Sequence, residues 1–319
     1  MTLLRNKILW SILCLLLAFP VQAKWLGLMT ADRKEFVHAR DTYDAGDYEQ
    51  AVEQLSQYIY KTKNIKRREA RAYRLLGLSY EKLGHPEKAL EIYSEALEFH
   101  QDNVPLLLTA ADLYQRTDLI DRSIALYNRV LELEPENTHA LASQAQNYID
   151  MGFYSKAISY YNKFLTLEPD AAATHRARYA YAFFKQRDFK HAFINITLAK
   201  EKDLYNPDYW LLSARTYKGL QMTSQALADL DMAIWLAPQQ TDLRIIKAIW
   251  LYQLQNYKES LKEVRALLKQ EPNNELALFM LYMNLKDTRP QQARQALQQI
   301  KGQNKDSFAE RVAAKLLEK

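Results

Sequence analysis

The chain has 319 residues, with 43 lysines and arginines against 38 aspartates and glutamates, and it contains a single cysteine. This near balance of charge argues against bulk binding of nucleic acid. Cys14 lies in an N-terminal run that we predict to be removed, which excludes disulfides, zinc–thiolate sites and cysteine nucleophiles from the mature chain. Seven glycines and a hydrophobic fraction of 48% fit an all-helical chain with ample apolar material for its core.

Residues 1–23 have the pattern of a secretory signal peptide. Arg5 and Lys7 precede an apolar run over residues 8–19, and a small residue stands before the expected cleavage at Lys24. The apolar run is short for a bilayer span of about 20 residues. We therefore predict export to a bacterial periplasm, with no transmembrane segment left after cleavage. The alternative is an uncleaved N-terminal anchor that leaves the chain facing the periplasm.

A small residue recurs along the rest of the chain at intervals of 34 residues, with one interval of 35 and one of 33. The residues of this series are Ala89, Ser123, Ala157, Ala192, Ala226, Ser260 and Ala293. A second small residue lies twelve positions before most of them, a bulky residue lies nine before, and a proline lies twelve after several. This period indicates a solenoid of helix pairs, in which small residues let the two helices of a pair approach closely.

The second repeat shows the pattern most completely, in Tyr73, Leu76, Gly77, Tyr80, Ala89, Tyr93 and Ala96, with a turn over residues 84–90. In these residues the chain resembles the tetratricopeptide repeat family. The resemblance implies an all-α, right-handed superhelical solenoid of about eight helix-turn-helix repeats, which we place at residues 24–302. The first repeat covers about residues 32–61 and the eighth begins near Asn274. We expect residues 303–319 to form a C-terminal capping helix.

The chain shows no motif of a catalytic or cofactor site. The six histidines do not form the HExxH spacing of zinc proteases, and neither GxxxxGK[ST] nor GxGxxG occurs. We therefore predict that the protein is not an enzyme and binds no cofactor or metal.

The resemblance implies that positions 2, 5, 9, 12 and 13 of each repeat face an inner groove. Toward the N-terminus these positions predict a basic part of the groove, formed by Arg33, Arg40, Arg71, Arg74 and Lys82. Toward the C-terminus they predict a largely apolar and aromatic part, with Gln146, Tyr181, Phe184, Leu211, Arg215, Ile249 and Tyr252 as candidate contacts. Arg71 and Arg74 lie three residues apart, so we expect both to point inward near Arg33 and Arg40.

These features favour an exported scaffold for protein–protein interaction, which binds a peptide or helix of a partner in envelope assembly or secretion. One alternative is an accessory component of polysaccharide export or biosynthesis that contacts an anionic glycan through its arginines and aromatic residues. Another is a regulatory subunit of an enzyme complex that uses its convex face or its terminal helix.

Overall fold

The computed structural model describes residues 33–62, 69–301 and 307–317. The predicted signal peptide at 1–23 lies outside the described residues, as do residues 24–32 at the start of the predicted 24–302 region. Within the described ranges the regular secondary structure is entirely α-helical. None of the helices in those ranges is long and apolar enough to cross a bilayer.

The chain forms two compact units. The first contains the described residues up to Gly152 together with Asn162–Leu167, and the second contains Phe153–Tyr161 and the described residues from Glu168 onward. The helices of the first unit are α1 (33–44), α2 (Tyr48–Thr62), α3 (Ala70–Lys82), α4 (Pro86–Phe99), α5 (Val104–Arg116), α6 (Ile120–Leu133) and α7 (Thr138–Asp150). Helix α8 (Tyr154–Leu167) gives its first half to the second unit and the rest to the first.

The second unit continues with the same alternation of helices. They are α9 (Ala173–Lys185), α10 (Phe189–Lys202), α11 (Pro207–Gly219), α12 (Thr223–Leu236), α13 (Thr241–Gln253), α14 (Tyr257–Gln270), α15 (Glu275–Leu285), α16 (Pro290–Lys301) and α17 (Phe308–Leu317). Odd-numbered helices up to α15 are the first helix of a repeat, here called A helices, and even-numbered ones are the second, called B helices. Helix α17 packs on α16 and α15 and buries Ala313 completely.

Consecutive helices pack against each other within each unit, as in α3 with α4, α5 with α6 and α11 with α12. The periodic small residues lie at these contacts: Ala89, Ala192 and Ala226 are at most 1% exposed. The all-α helical-repeat fold predicted from the period is therefore confirmed.

Glycine makes one helix contact possible at Gly77 in α3. A Cβ added there would lie 2.5 Å from Cζ and 2.8 Å from Cδ1 of Tyr93, closer than side chains can pack. Tyr93 belongs to α4 and is fully buried. Gly219 has the same role in the second unit, where an added Cβ would lie 2.6 Å from the Phe189 ring.

Seven of the eight described turns from an A helix to its B helix contain a residue with positive φ, the turn from α15 to α16 being the exception, and only some of these residues are glycines. Gly46, Gly84 and Gly152 have φ between 77° and 86°. At the equivalent place in other repeats, Asp118, Arg187, Gln221 and Gln255 have φ of 61–63°. A left-handed conformation costs a non-glycine residue about 1–2 kcal/mol, so the repeat geometry imposes this conformation regardless of residue type.

Asparagine caps start several A helices. The side chains of Asn103, Asn137 and Asn274 each accept a hydrogen bond from the backbone N–H three residues later, at 3.0 Å. Such a cap stabilises a helix by about 1 kcal/mol relative to alanine. The caps fix where α5, α7 and α15 begin, and thus fix the register of the side chains that follow.

Candidate functional site

The first unit contains a cleft of about 540 Å³ formed by α1, α3 and the start of α5. Its lining residues are Phe36, Arg40, Asp44, Ala70, Arg71, Arg74, Leu75, Asn103 and Pro105. Three of the four arginines that the sequence predicted to converge therefore share one cleft. Phe36 and Leu75 are each 8% exposed, so the apolar part of the wall belongs to the core.

The arginines of the cleft differ in how far their charge is already neutralised. The Arg40 guanidinium lies 2.7 Å from Asp41 and 3.8 Å from Asp44. Within residues 33–62 and 69–301, no carboxylate forms an ion pair with Arg71 or Arg74. The available positive charge of the cleft therefore comes mainly from Arg71 and Arg74, both on α3.

Arg33 and Lys82 lie outside this cleft, and for Arg33 this corrects the expected convergence. Arg33 lines a separate depression of about 390 Å³ with Lys34, Val37, His38 and Asp41. Lys82 is exposed at the last residue of α3 and does not line the cleft. The physical reason is the face of α1 that each depression uses: the cleft is lined by Phe36, Arg40 and Asp44, four residues apart, whereas Arg33 belongs to the neighbouring stripe with Val37 and Asp41.

Two buried tyrosines of B helices each bond to a carboxylate on the A helix of the same repeat. The Tyr93 hydroxyl donates to Glu81 at 2.7 Å, and Glu81 also forms an ion pair with Arg116 of the next repeat. Burial, followed by the hydrogen bond to Glu81, raises the pKa of Tyr93. The charge of Arg116 is therefore neutralised by a partner 35 residues earlier in the chain.

The arrangement recurs one repeat later. Tyr127 donates to Asp112, and Nε2 of His139 lies 2.7 Å from the same carboxylate oxygen. The hydrogen bond to Asp112 raises the pKa of His139. The sequence alone does not reveal that His139 pairs with Asp112. The 34-residue spacing of Tyr93 and Tyr127 was the signal that could have revealed the pair.

The remaining candidates have varied surroundings. Gln146 donates to Asp150 at 2.7 Å and so is oriented within α7. Tyr181 packs edge-on against Tyr154 at 6.3 Å, and the Lys185 ammonium lies 5.6–5.7 Å from both ring centroids. At Tyr181 the predicted groove therefore presents the Lys185 ammonium beside two aromatic rings, and not a purely apolar surface.

Phe184 and Tyr252 pack at the turns of their own repeats. The Phe184 ring contacts Phe189 at 5.8 Å, and the Tyr252 ring contacts Tyr257 at 5.1 Å. In each case the partner is the first residue of the B helix, so these aromatics stabilise the turn.

Leu211 and Ile249 are half-buried and pack against the core cluster around Leu230 and Trp250, whereas Arg215 is exposed. Lys218 lies 4.5 Å above the Trp250 ring and donates to Gln253 at 2.8 Å. Burial lowers the pKa of Lys218. Repeat six therefore adds two basic side chains, Arg215 and Lys218, to the predicted apolar part of the groove. The described residues contain no group of three or more His, Cys, Asp or Glu side chains arranged to hold a metal.

Comparison with known proteins agrees with the repeat pattern. Models described as tetratricopeptide repeat match residues 36–104, 81–146 and 138–171. A tetratricopeptide repeat protein from Parabacteroides merdae superposes with a TM-score of 0.57 over 80% of this chain and 98% of that one, at 18% identity. The chain belongs to the tetratricopeptide repeat family.

Other solved repeat proteins share the fold. YrrB, described as a tetratricopeptide repeat protein with an unusual peptide-binding site, gives a TM-score of 0.52 at 19% identity, over 58% of this chain and 93% of its own. MamA gives 0.51 at 18% identity, over 54% of this chain and 94% of its own. At these identities the likeness shows the fold alone.

Human relatives match only a short segment. RANBP2-like and GRIP domain-containing protein 8 is 34% identical over 103 residues, which are 31% of this chain and 6% of that protein. Human E3 SUMO-protein ligase RanBP2 is 33% identical over 88 residues, which are 28% of this chain and 3% of that protein. The chain thus spans only a few per cent of the length of these relatives.

Proposed function

We propose that the protein is a non-enzymatic, exported scaffold that binds an acidic segment of a partner protein in the cleft of its first unit. The observation that carries the proposal is the pair Arg71 and Arg74, two cations without a carboxylate partner among the described residues, in a cleft of about 540 Å³. The apolar side chains of Phe36 and Leu75 line the same opening.

The charges set the chemistry of the ligand. A carboxylate-bearing peptide would supply the counter-charge that Arg71 and Arg74 lack, and arginine is suited to paired hydrogen bonds with carboxylates. Asn103, at the mouth of the cleft, already accepts the Leu106 N–H through its side-chain oxygen, which leaves its amide N–H₂ available as a donor. Exposed charges of this kind act mainly on association rate and salt dependence.

Support also comes from the family. Tetratricopeptide repeat proteins are typically scaffolds, and the similar protein YrrB is described as having a peptide-binding site. The acidic-segment preference is specific to this chain, because it follows from the two arginines.

Peptide binding can be tested with a library of acidic and neutral peptides and fluorescence anisotropy. The parent should prefer acidic peptides and bind them more weakly as salt rises, whereas Arg71→Glu with Arg74→Glu should lose this preference. The matched control is Lys163→Glu with Lys190→Glu, two exposed lysines whose reversal changes the net charge equally. If control and cleft variants bind alike, the cleft is not the site.

Export to the periplasm, and the role in envelope assembly or secretion that it would permit, rest on the pattern of residues 1–23. Mass measurement of the protein from its native host should give an N-terminus at Lys24. A mass that retains the first 23 residues would favour the N-terminal anchor instead.

A further inference from the structure

The outer face of helix α14 has a continuous stripe of cations. Lys258, Lys262, Arg265 and Lys269 are all exposed, at the second, sixth, ninth and thirteenth residues of the helix. Spacings of four, three and four residues place them on one face, over roughly 16 Å at 1.5 Å per residue. Within the described residues, the one ion pair of the stripe is a loose contact of 3.6 Å between Lys262 and Glu259.

No other B helix has cations at all four of these positions; α10, for example, has only Lys190, at the second. In α4 the second, sixth and thirteenth residues are Glu87, Glu91 and Glu98. In α12 they are Ser224, Ala228 and Trp235. The repeat architecture does not itself demand cations there, because packing leaves these outward positions free to vary. The stripe is therefore a feature of α14.

The carboxylates near the stripe are already paired. On α12, Asp229 lies 2.8 Å from Lys200, and Asp231 lies 2.6 Å from Lys247. On α14, Glu263 is buried and bonded to Lys247 at 2.7 Å and to Arg244 at 2.9 Å. Because Lys247 of α13 bridges both helices, α12 and α14 lie on either side of it. The following B helix, α16, has glutamines and no acidic residue.

An exposed aromatic residue stands at the end of the neighbouring helix. Trp235 is 70% exposed and occupies the thirteenth position of α12, the position that Lys269 occupies in α14. Leu276, in the first turn of α15, is 56% exposed and follows the same end of α14. An outward helix stripe of cations with an exposed tryptophan beside it has the chemistry of a membrane–water interface.

We propose that the outer face of α12 and α14 docks on an anionic lipid bilayer. Lys258, Lys262, Arg265 and Lys269 face the lipid phosphates, and Trp235 inserts at the level of the headgroups. The argument is charge complementarity: the face has four cations and no unpaired carboxylate on its two helices. A planar bilayer fits an outward helix face, which cannot enclose a ligand as a cleft does. This surface is separate from the cleft in the first unit.

The test is co-sedimentation of the chain beginning at Lys24 with vesicles of phosphatidylcholine and phosphatidylglycerol in equal parts. Starting at Lys24 leaves out the apolar residues 8–19, which would themselves partition into the lipid and obscure the binding of the folded units. The chain should bind these vesicles at low salt, release them at high salt, and ignore vesicles of phosphatidylcholine alone. Each cation near an anionic leaflet gives roughly a fivefold gain, so Lys262→Glu with Arg265→Glu should weaken partitioning at least ~25-fold.

Matched variants separate this interaction from a general effect of charge. Lys163→Glu with Lys190→Glu changes the net charge equally and should retain binding. Trp235→Ala should weaken binding several-fold, whereas Leu254→Ala, an exposed apolar residue in the turn between α13 and α14, should not. Vesicles with brominated lipid should quench tryptophan fluorescence in the parent and less in Trp235→Phe.

Three results would overturn the proposal. One is failure of the folded parent to bind the anionic vesicles. Another is equal loss of binding in the stripe and control double variants. The third is tighter binding of polyglutamate or duplex DNA than of vesicles, with no effect of Trp235→Ala, because the face would then serve a polyanion in solution. None of these outcomes depends on Arg71 or Arg74, so the two proposals fail independently.

Discussion

Replacing Gly77 with alanine gives a direct test of the helix contact in the second repeat. In most helix interiors this change stabilises the protein by about 1 kcal/mol, because alanine is the better helix former. Here the new methyl group would lie 2.5–2.8 Å from Cζ and Cδ1 of Tyr93, a fully buried ring with little room to move. Overpacking of this kind costs about 1–3 kcal/mol. A shift of the ring would also lengthen the 2.7 Å hydrogen bond from Tyr93 to Glu81.

We therefore expect Gly77→Ala to lower the free energy of unfolding by about 1–3 kcal/mol, measured by urea unfolding followed by circular dichroism. The control is the same change in a Tyr93→Leu background, where the ring is absent and alanine should be neutral or stabilising. The two backgrounds should then differ by roughly 2 kcal/mol or more, which is the coupling expected of residues in contact. A midpoint that rises in the parent background would refute the close approach of α3 and α4.

Three further predictions concern packing, turns and pH. Ala226→Leu should lower the melting temperature through an overpacking cost of about 1–3 kcal/mol, since Ala226 is 1% exposed; an unchanged value would mean that the repeat register is wrong. Gln221→Gly should raise the unfolding free energy by about 0.5–1 kcal/mol, because φ is 63° there, and a decrease in urea midpoint would contradict the imposed turn. Because the pKa of His139 is raised in the folded state, its pairing with Asp112 stabilises the fold fully when the pH is below the ordinary pKa of 6.5. This contribution is lost as the pH rises through the folded-state pKa. Asp112→Asn should flatten that part of the stability–pH profile, and an unchanged slope would show that the pair does not couple to folding.

The helix pairs could be predicted from sequence because packing repeats at a fixed interval. Where Ala89 or Ala226 lies against a neighbouring helix, a larger residue would separate the two helix axes. A small residue at this interval therefore indicates a helix contact. The turns were harder to read. Arg187, Gln221 and Gln255 adopt the same left-handed conformation as the glycines, and nothing in their chemistry indicates it, whereas Asp118 is of a type that tolerates it. There the fold overrides local preference.

The charge that remains available at the predicted inner positions could not be read from the sequence. Arg116 and His139 have basic side chains, but each is paired with a carboxylate from the preceding repeat. The partners, Glu81 and Asp112, lie 35 and 27 residues earlier. Such pairs form only when neighbouring repeats are placed side by side. The pairing of Arg40 with Asp41 and Asp44 is local, by contrast, and its spacing was visible along one helix.

Cations without a close carboxylate partner among the described residues are the more informative about binding surfaces. A lysine or arginine on a helical repeat has many chances to meet a carboxylate, as Lys200 and Lys247 do. Arg71 and Arg74 line a cleft without such a partner, and the α14 cations form a stripe with a single loose one. Because each of these sets lies in a different unit, reversing one leaves the other intact. If either reversal abolished both peptide and vesicle binding, net charge alone would explain both, and neither surface would be a specific site.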